Sequence, residues 1–426
     1  MRKTCNHGMR NTLQNIVIVC LILSALFLLM QTRLIHTDTL HSFFSTVSPS
    51  TATPVSGEKL SYSFPVRMTV RRDNECYTWL NETTAGEVFE DLGSVLGESL
   101  GAAGNLVSVR ESEFRHALEN DSVFYDFTTS VPLPLLAQRL SIAGSSPRTS
   151  IRALLLSGMH DNTLTLYAWD AERDHYYRWN TSLPADTLFA ATEKHEGQPA
   201  EFAFLCNPPY DALTPYTPVP KERPALREAS SVSTVDERTE GALLTRLEFN
   251  VHSNARYPES NGAEVIVQGS RTLRFSLDGT VTYSGDAESI PLLTVKHGEE
   301  DATLSEVVQS AWYAVSTLLS DGGSNVGLTL HSAEIQEPGS AEVTFGYLLD
   351  GYPVIFQNGP AATVQIQDNH IVHFTLHLRE YTLTDKTRRL LPVSHAAAAV
   401  TKEMPVDLFP GYYDDGEALS PCWLQE

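Results

Sequence analysis

The stretch TFGYLLDGYPVIF, residues 344–356, constrains the fold of this chain more than any other. Asp350-Gly351 between alternating apolar residues is the strongest short-range hairpin signal, because both central residues of a type I′ turn need positive φ. That turn sets a register in which Leu349 faces Tyr352, Tyr347 faces Val354 and Phe345 faces Phe356. These six side chains share one face, so they are expected to form the inside of a sheet rather than a ligand site. Pro353 falls opposite Leu348 and denies a hydrogen bond to the next strand out, which predicts an edge or a bulge there. Asp278-Gly279 within TLRFSLDGTVTY predicts a second hairpin.

The first 32 residues contain no acid, whereas the whole chain has 52 Asp and Glu against 30 Lys and Arg. So acidic a body repels a phosphate backbone, and nucleic acid is not an expected partner. After a basic tail (Arg2, Lys3, Arg10) comes IVIVCLILSALFLLM, residues 16–30, broken only by Ser24. The charge asymmetry leaves the N-terminus in the cytoplasm and exports everything downstream. No small-x-small pair follows Met30, and Leu13, Leu34 and Ile35 extend the segment to bilayer length with Arg33 snorkelling, so an uncleaved anchor is expected. A cleaved signal peptide is the alternative. Val17, Cys20, Ser24, Phe27 and Gln31 recur at 3–4 spacing, and small, weakly polar residues on one face let a partner helix approach. A plain anchor whose one serine bonds its own backbone would show the same residues. Three cysteines remain beyond the membrane segment (Cys76, Cys206, Cys422), enough for one disulfide and no stapled framework.

The expected layout is a cytoplasmic tail (1–12), a transmembrane signal anchor (13–35), a Ser/Thr/Pro stalk (36–61), an N-terminal extracytoplasmic domain (62–210), a Pro-rich linker (211–241) and a C-terminal extracytoplasmic domain (242–426). In the first domain, Thr84 is the expected cap of a helix carrying Val88, Phe89, Leu92, Val95, Leu96 and Leu100 on one side. A second helix follows over 111–119. A strand in SVFYDFTTSVP then leads into a helix opened by Pro132 or Pro134, and three strands follow in IRALLLSG, TLTLYAWD and HYYRWNTSL. The second domain has a helix with Leu304, Val307, Val308, Ala311, Trp312, Val315, Leu318 and Leu319 on one side, expected to lie across a curved antiparallel meander. GYLLDG (346–351) recurs as GYYDDG (411–416), which suggests a duplicated helix-plus-hairpin unit. The fold class is therefore α+β, with antiparallel sheets and packed helices in both outer domains.

Chemistry is harder to find. There is no His-Glu-x-x-His, Cys-x-x-Cys or calcium loop. AGSSP around Ser145 is not a nucleophile elbow, and GESLGAAG (97–104) lacks the phosphate-loop lysine. The acidic run GEEDA near Glu299 suits the positive end of the following helix. His373 and His377 are four apart on a strand, hence about 13 Å apart, too far to share a metal. Val372, Phe374, Leu376 and Leu378 alternate with them toward the core, so both histidines are expected in solvent. No catalytic, cofactor or metal site is expected, no cofactor, and no small-molecule substrate.

The parts taken together, with GYPVIFQNGPAATVQIQDNHIV (351–372) in the second domain, resemble the YycH/YycI family, accessory regulators of the Gram-positive cell-wall sensor histidine kinase. VFYDFTTSVPLPLLAQRL (123–140) followed by IRALLLSG resembles the first outer domain of YycH. The Gly351-Tyr352-Pro353 strand resembles the part shared by YycH and YycI, which is PepSY-like. The resemblance implies a non-enzymatic, single-pass membrane protein. Its partners would be the kinase and a YycI-like companion, reached largely through the membrane helix. The alternative is a PepSY-type extracytoplasmic binding or inhibitory module acting on a cell-wall hydrolase, with contacts on a sheet edge such as the one near Pro353.

Overall fold

Near-continuous apolar runs such as FYDFT and RALLL need cover on both faces of the sheet they enter. The computed structural model describes residues 65–142, 149–158, 162–252, 255–286, 290–297, 302–400 and 405–425. The expected tail, anchor helix with its stripe, and stalk lie outside them, as do AGSSP around Ser145 and the acidic run at 298–301. Residues 59–426 form one compact unit.

From the N-terminal side the unit runs β1 (Arg67–Arg72), β2 (Glu75–Trp79), α1 (Glu82–Gly101), β3 (Val107–Val109), α2 (Glu111–Glu119), β4 (Ser122–Pro132) and α3 (Leu133–Arg139). It continues with β5 (Ser150–Gly158), β6 (Thr163–Asp170), β7 (His175–Pro184), α4 (Asp186–Thr192), β8 (Gln198–Phe202) and β9 (Pro218–Pro220). These strands make one nine-stranded sheet in the order β3-β7-β6-β5-β4-β1-β2-β8-β9. On one face α1 lays Val88, Phe89, Leu92 and Leu96 on Met68, Tyr125, Leu154 and Leu166. On the other, Phe114 and Leu118 of α2 meet Phe124, Leu155, Tyr167 and Tyr216. The central strands are buried almost throughout because both faces are covered.

The second half runs β10 (Ala225–Ser233), α5 (Glu237–Arg246), β11 (Arg256–Pro258), β12 (Glu264–Gln268), β13 (Arg271–Phe275), β14 (Thr280–Ser284), α6 (Leu304–Asp321), β15 (Gly327–Glu337) and β16 (Ser340–Leu349). It ends with β17 (Tyr352–Phe356), β18 (Ala362–Gln367), β19 (His370–His377), β20 (Arg379–Arg389), α7 (Val393–Ala398), β21 (Leu408–Asp414) and β22 (Leu419–Gln425). An eleven-stranded sheet forms in the order β11-β12-β13-β14-β19-β18-β16-β17-β21-β22, with β15 on the free side of β16. One face packs under α6, which starts in a capping box between Thr303 and Glu306. The other face is polar: Ser332, Thr344, Thr363, Thr375 and Thr282 lie opposite one another across five strands. β10 pairs with β20 as a separate ribbon, so the 211–241 stretch expected as a linker holds β9, β10 and the start of α5.

Several expectations are corrected. Asp350 and Gly351 have φ of 55° and 76°, and Tyr347 faces Val354 as expected, but Phe345 does not face Phe356. From Phe345 on, β18 replaces β17 as the neighbour of β16. At the other Asp-Gly turn only Gly279 has positive φ, and Phe275 pairs with Val281, so the loop spans 277–279 rather than two residues. The sheet is also not wholly antiparallel: β17 pairs parallel with β21, because β20 leaves the sheet for β10 and the chain returns through α7. The Pro353 side is therefore not an edge. The parallel ladder starts at Val354, one residue past the missing N–H. Gly411 is needed there, since a Cβ would come within 2.6 Å of the Pro353 carbonyl oxygen. The recurrence of GYLLDG as GYYDDG thus lies on strands joined through β17.

The segment before β21 is locked to the first sheet by a buried ionic cluster. The Arg67 guanidinium, 1% exposed, donates to Asp126, to Asp407 at 2.5 Å and to the Leu408 carbonyl at 2.9 Å. Arg152 bridges the same two carboxylates at 2.6 and 2.7 Å, and Thr217 donates to Asp407 at 2.7 Å. Asp126 also accepts from the Thr128 amide at 2.8 Å, in a β4 bulge that turns the Thr129 hydroxyl onto the Leu330 carbonyl of β15 at 3.1 Å. Burial alone would push the Asp126 carboxyl up, but Arg67 and Arg152 more than offset it and hold it below the ordinary carboxylate range. A depressed folded-state pKa means that this stabilisation is complete above about pH 4 and lost as pH falls through the folded value. Asp407→Ala should lower unfolding stability by about 3 kcal/mol or more, because two buried guanidiniums then share one carboxylate. Asp126→Asn should reduce the slope of stability against pH below about pH 4. Chemical denaturation across pH measures both.

Candidate functional site

The β2 strand ends at Trp79, and the chain turns at Leu80 and Asn81 into α1. Asn81 is the N-cap, not Thr84: its side chain accepts from the Thr84 amide at 2.8 Å. Thr84, Glu87, Val88 and Asp91 then recur at helical spacing along one wall of a groove of about 610 Å³. The loop at 194–198 forms a second wall. Arg223, Pro224, Ala225 and Tyr352 close the third side, and Thr78, Trp79 and Leu80 make the floor. The groove is thus built where the first sheet meets the β16–β17 hairpin, and the Glu82 amide fixes the junction by donating to the Gly351 carbonyl at 2.7 Å.

Local contacts position each wall. His195 Nε2 lies 3.1 Å from a carboxylate oxygen of Asp91, and its ring stands edge-on to Trp79 at 6.4 Å. Gly197 passes so close that a Cβ would sit 3.0 Å from both the Thr78 carbonyl oxygen and the Trp79 ring. Burial pushes the Tyr352 phenol up, partly countered by a hydrogen bond with the Asn81 side chain. Arg223 donates through Nε to the Leu390 carbonyl at 2.7 Å, and Arg227 grips Asp350 of the hairpin turn with two bonds of 3.0 Å.

Of the residues singled out from the sequence, Thr84 and Val88 of α1 and Tyr352 of the quoted hairpin line this groove, none of them for the role expected of it. The stripe Val17, Cys20, Ser24, Phe27 and Gln31 lies outside the described residues. His373 sits on the polar sheet face with Nδ1 2.8 Å from the Ser284 hydroxyl. His377 is not in solvent, because Phe356 stacks across its ring at 4.5 Å. Burial lowers the pKa of both. Among the described residues no cluster of side chains suited to a metal occurs, no disulfide forms, and no helix is long and apolar enough to cross a membrane. Trp79, Gly197 and Arg223 carried no sequence signal, since they belong to no motif and meet only through the fold.

Two adjoining sheets, mixed helix cover and a groove at their junction define a two-sheet α+β protein with no catalytic motif in its sequence. The fold is that of YycH. The crystal structure of YycH from Bacillus subtilis matches with a TM-score of 0.57 over 87% of this chain and 95% of that one, at 12% identity. A dehydratase domain from the terminal module of the rifamycin polyketide synthase aligns at a TM-score of 0.12, 14% identity, over 67% of this chain and 97% of that one. No protein-family model and no curated protein matches the chain.

Gly197→Ala should force Trp79 or the 194–198 loop to shift, costing about 1–3 kcal/mol and moving the tryptophan emission maximum. Denaturation and fluorescence of the variant test this.

Proposed function

We propose that the chain is a non-enzymatic, membrane-anchored regulator of a two-component sensor histidine kinase controlling cell-wall metabolism. The observation that carries this reading is the YycH fold along 87% of the chain, found in a sequence that independently resembles the same family. The N-terminal segment would hold the chain in the cell membrane as a single pass, N-terminus inside and bulk outside. The kinase and a YycI-like companion would be its partners.

A bound helix biases a kinase only when it packs better against one signalling state than the other. In this reading Val17, Cys20, Ser24, Phe27 and Gln31 form the contact stripe, and small residues at its centre admit the partner helix. Replacing Cys20 and Ser24 with Phe should reduce co-purification of the kinase roughly tenfold, about 1.4 kcal/mol of association energy. Recovery that survives those changes but vanishes when the outer unit is exchanged would sink the helix-driven version.

A further inference from the structure

We propose that the groove between α1, the 194–198 loop and Tyr352 is a binding site for a short extended peptide carrying both a positive and a negative charge. At about 610 Å³ it lies in the size range of sites that enclose small ligands. Its floor contains a free donor. Trp79 is only 9% exposed, and its indole N–H has no hydrogen-bond partner among the described residues. Cε2, the ring atom bonded to that nitrogen, lies against Gly197, which itself lines the groove. A peptide carbonyl is the natural acceptor for such a group.

The walls carry charge of both signs that the protein does not neutralise. Asp91 faces His195, but Glu87 on α1 and Glu196 on the loop make no ion pair among the described residues. Neither does Lys194, and Arg223 uses only its Nε, leaving its terminal nitrogens available. A polyanion would be repelled by the carboxylates, and a polycation by Lys194 and Arg223. A ligand bearing both an ammonium and a carboxylate meets each with its complement. Tyr352 adds an aromatic wall with a polar tip, and Gln198 an amide able to donate and accept. This assignment rests on the groove alone and holds whether or not the chain regulates a kinase.

The test is calorimetric titration of the full-length protein with the tetrapeptide Lys-Ala-Ala-Glu, free at both ends, alongside the same peptide with neutral side chains and blocked ends, and alongside chitotetraose. The expected result is saturable binding of the charged peptide, weakened roughly tenfold by Glu87→Gln and again by Arg223→Gln, with circular dichroism unchanged. A fluorescence change on binding should disappear in Trp79→Phe. No binding at millimolar peptide, or binding indifferent to both charge substitutions, overturns the proposal. Equal affinity for the blocked neutral peptide, or for chitotetraose, overturns it too, since the site would then read neutral groups. Kinase co-purification is a separate readout, so failure here leaves the regulatory reading standing.

Discussion

The Arg67–Asp126–Arg152–Asp407 cluster is the interaction on which the rest of the unit depends. Two guanidiniums and two carboxylates, all nearly withdrawn from water, satisfy one another along with Thr128, Thr217 and the Leu408 carbonyl. Isolated charges at such depth would be prohibitively costly, so each member forces the others into place. Arg67 and Asp407 are 340 residues apart, and their meeting closes the chain on itself. The segment leading into β21 thereby comes to lie on the first sheet, which helps set where β21 joins the second one.

The two sheets meet solvent in different ways. The first has helices on both faces, and its central strands are buried without alternation. The second packs α6 on one side and presents a hydroxyl-rich face on the other, so a strand such as β18 alternates between buried and exposed positions. Where the sheets adjoin, the β4 bulge and the Asp350-Gly351 turn each contribute a backbone or side-chain bond across the boundary. The groove lined by Trp79 and Tyr352 is the space left beside those bonds. Its lining comes from four separate stretches between Thr78 and Tyr352, and closing the boundary brings them to one place.

Much of the local structure was legible in the sequence. The stripes on α1 and α6, the helix over 111–119, the proline-opened α3 and the strand trio β5–β7 all follow from periodicity and turn residues. Elements missed or misjudged depend on neighbours remote in sequence. The loop at Asp278 is one residue longer than a two-residue turn, and Asn81 displaces Thr84 as the cap because its side chain reaches the amide two positions beyond Glu82. His377 reads as an outward residue by alternation, yet Phe356 covers it. The groove was almost wholly illegible, since Trp79, Gly197 and Arg223 share no spacing that any known chemistry requires.

By itself, then, the sequence determined which residues turn, which alternate and which face inward, because those properties depend on neighbours within a few positions. It also carried the family resemblance that the YycH fold matches. Only the tertiary structure decided that β17 runs parallel to β21, that five charged and polar stretches converge on one buried cluster, and that a groove opens beside Trp79. The physical reason is that periodicity specifies a face but not its partner. The partner is chosen by the closure of the whole chain, where burial and charge compensation are settled together.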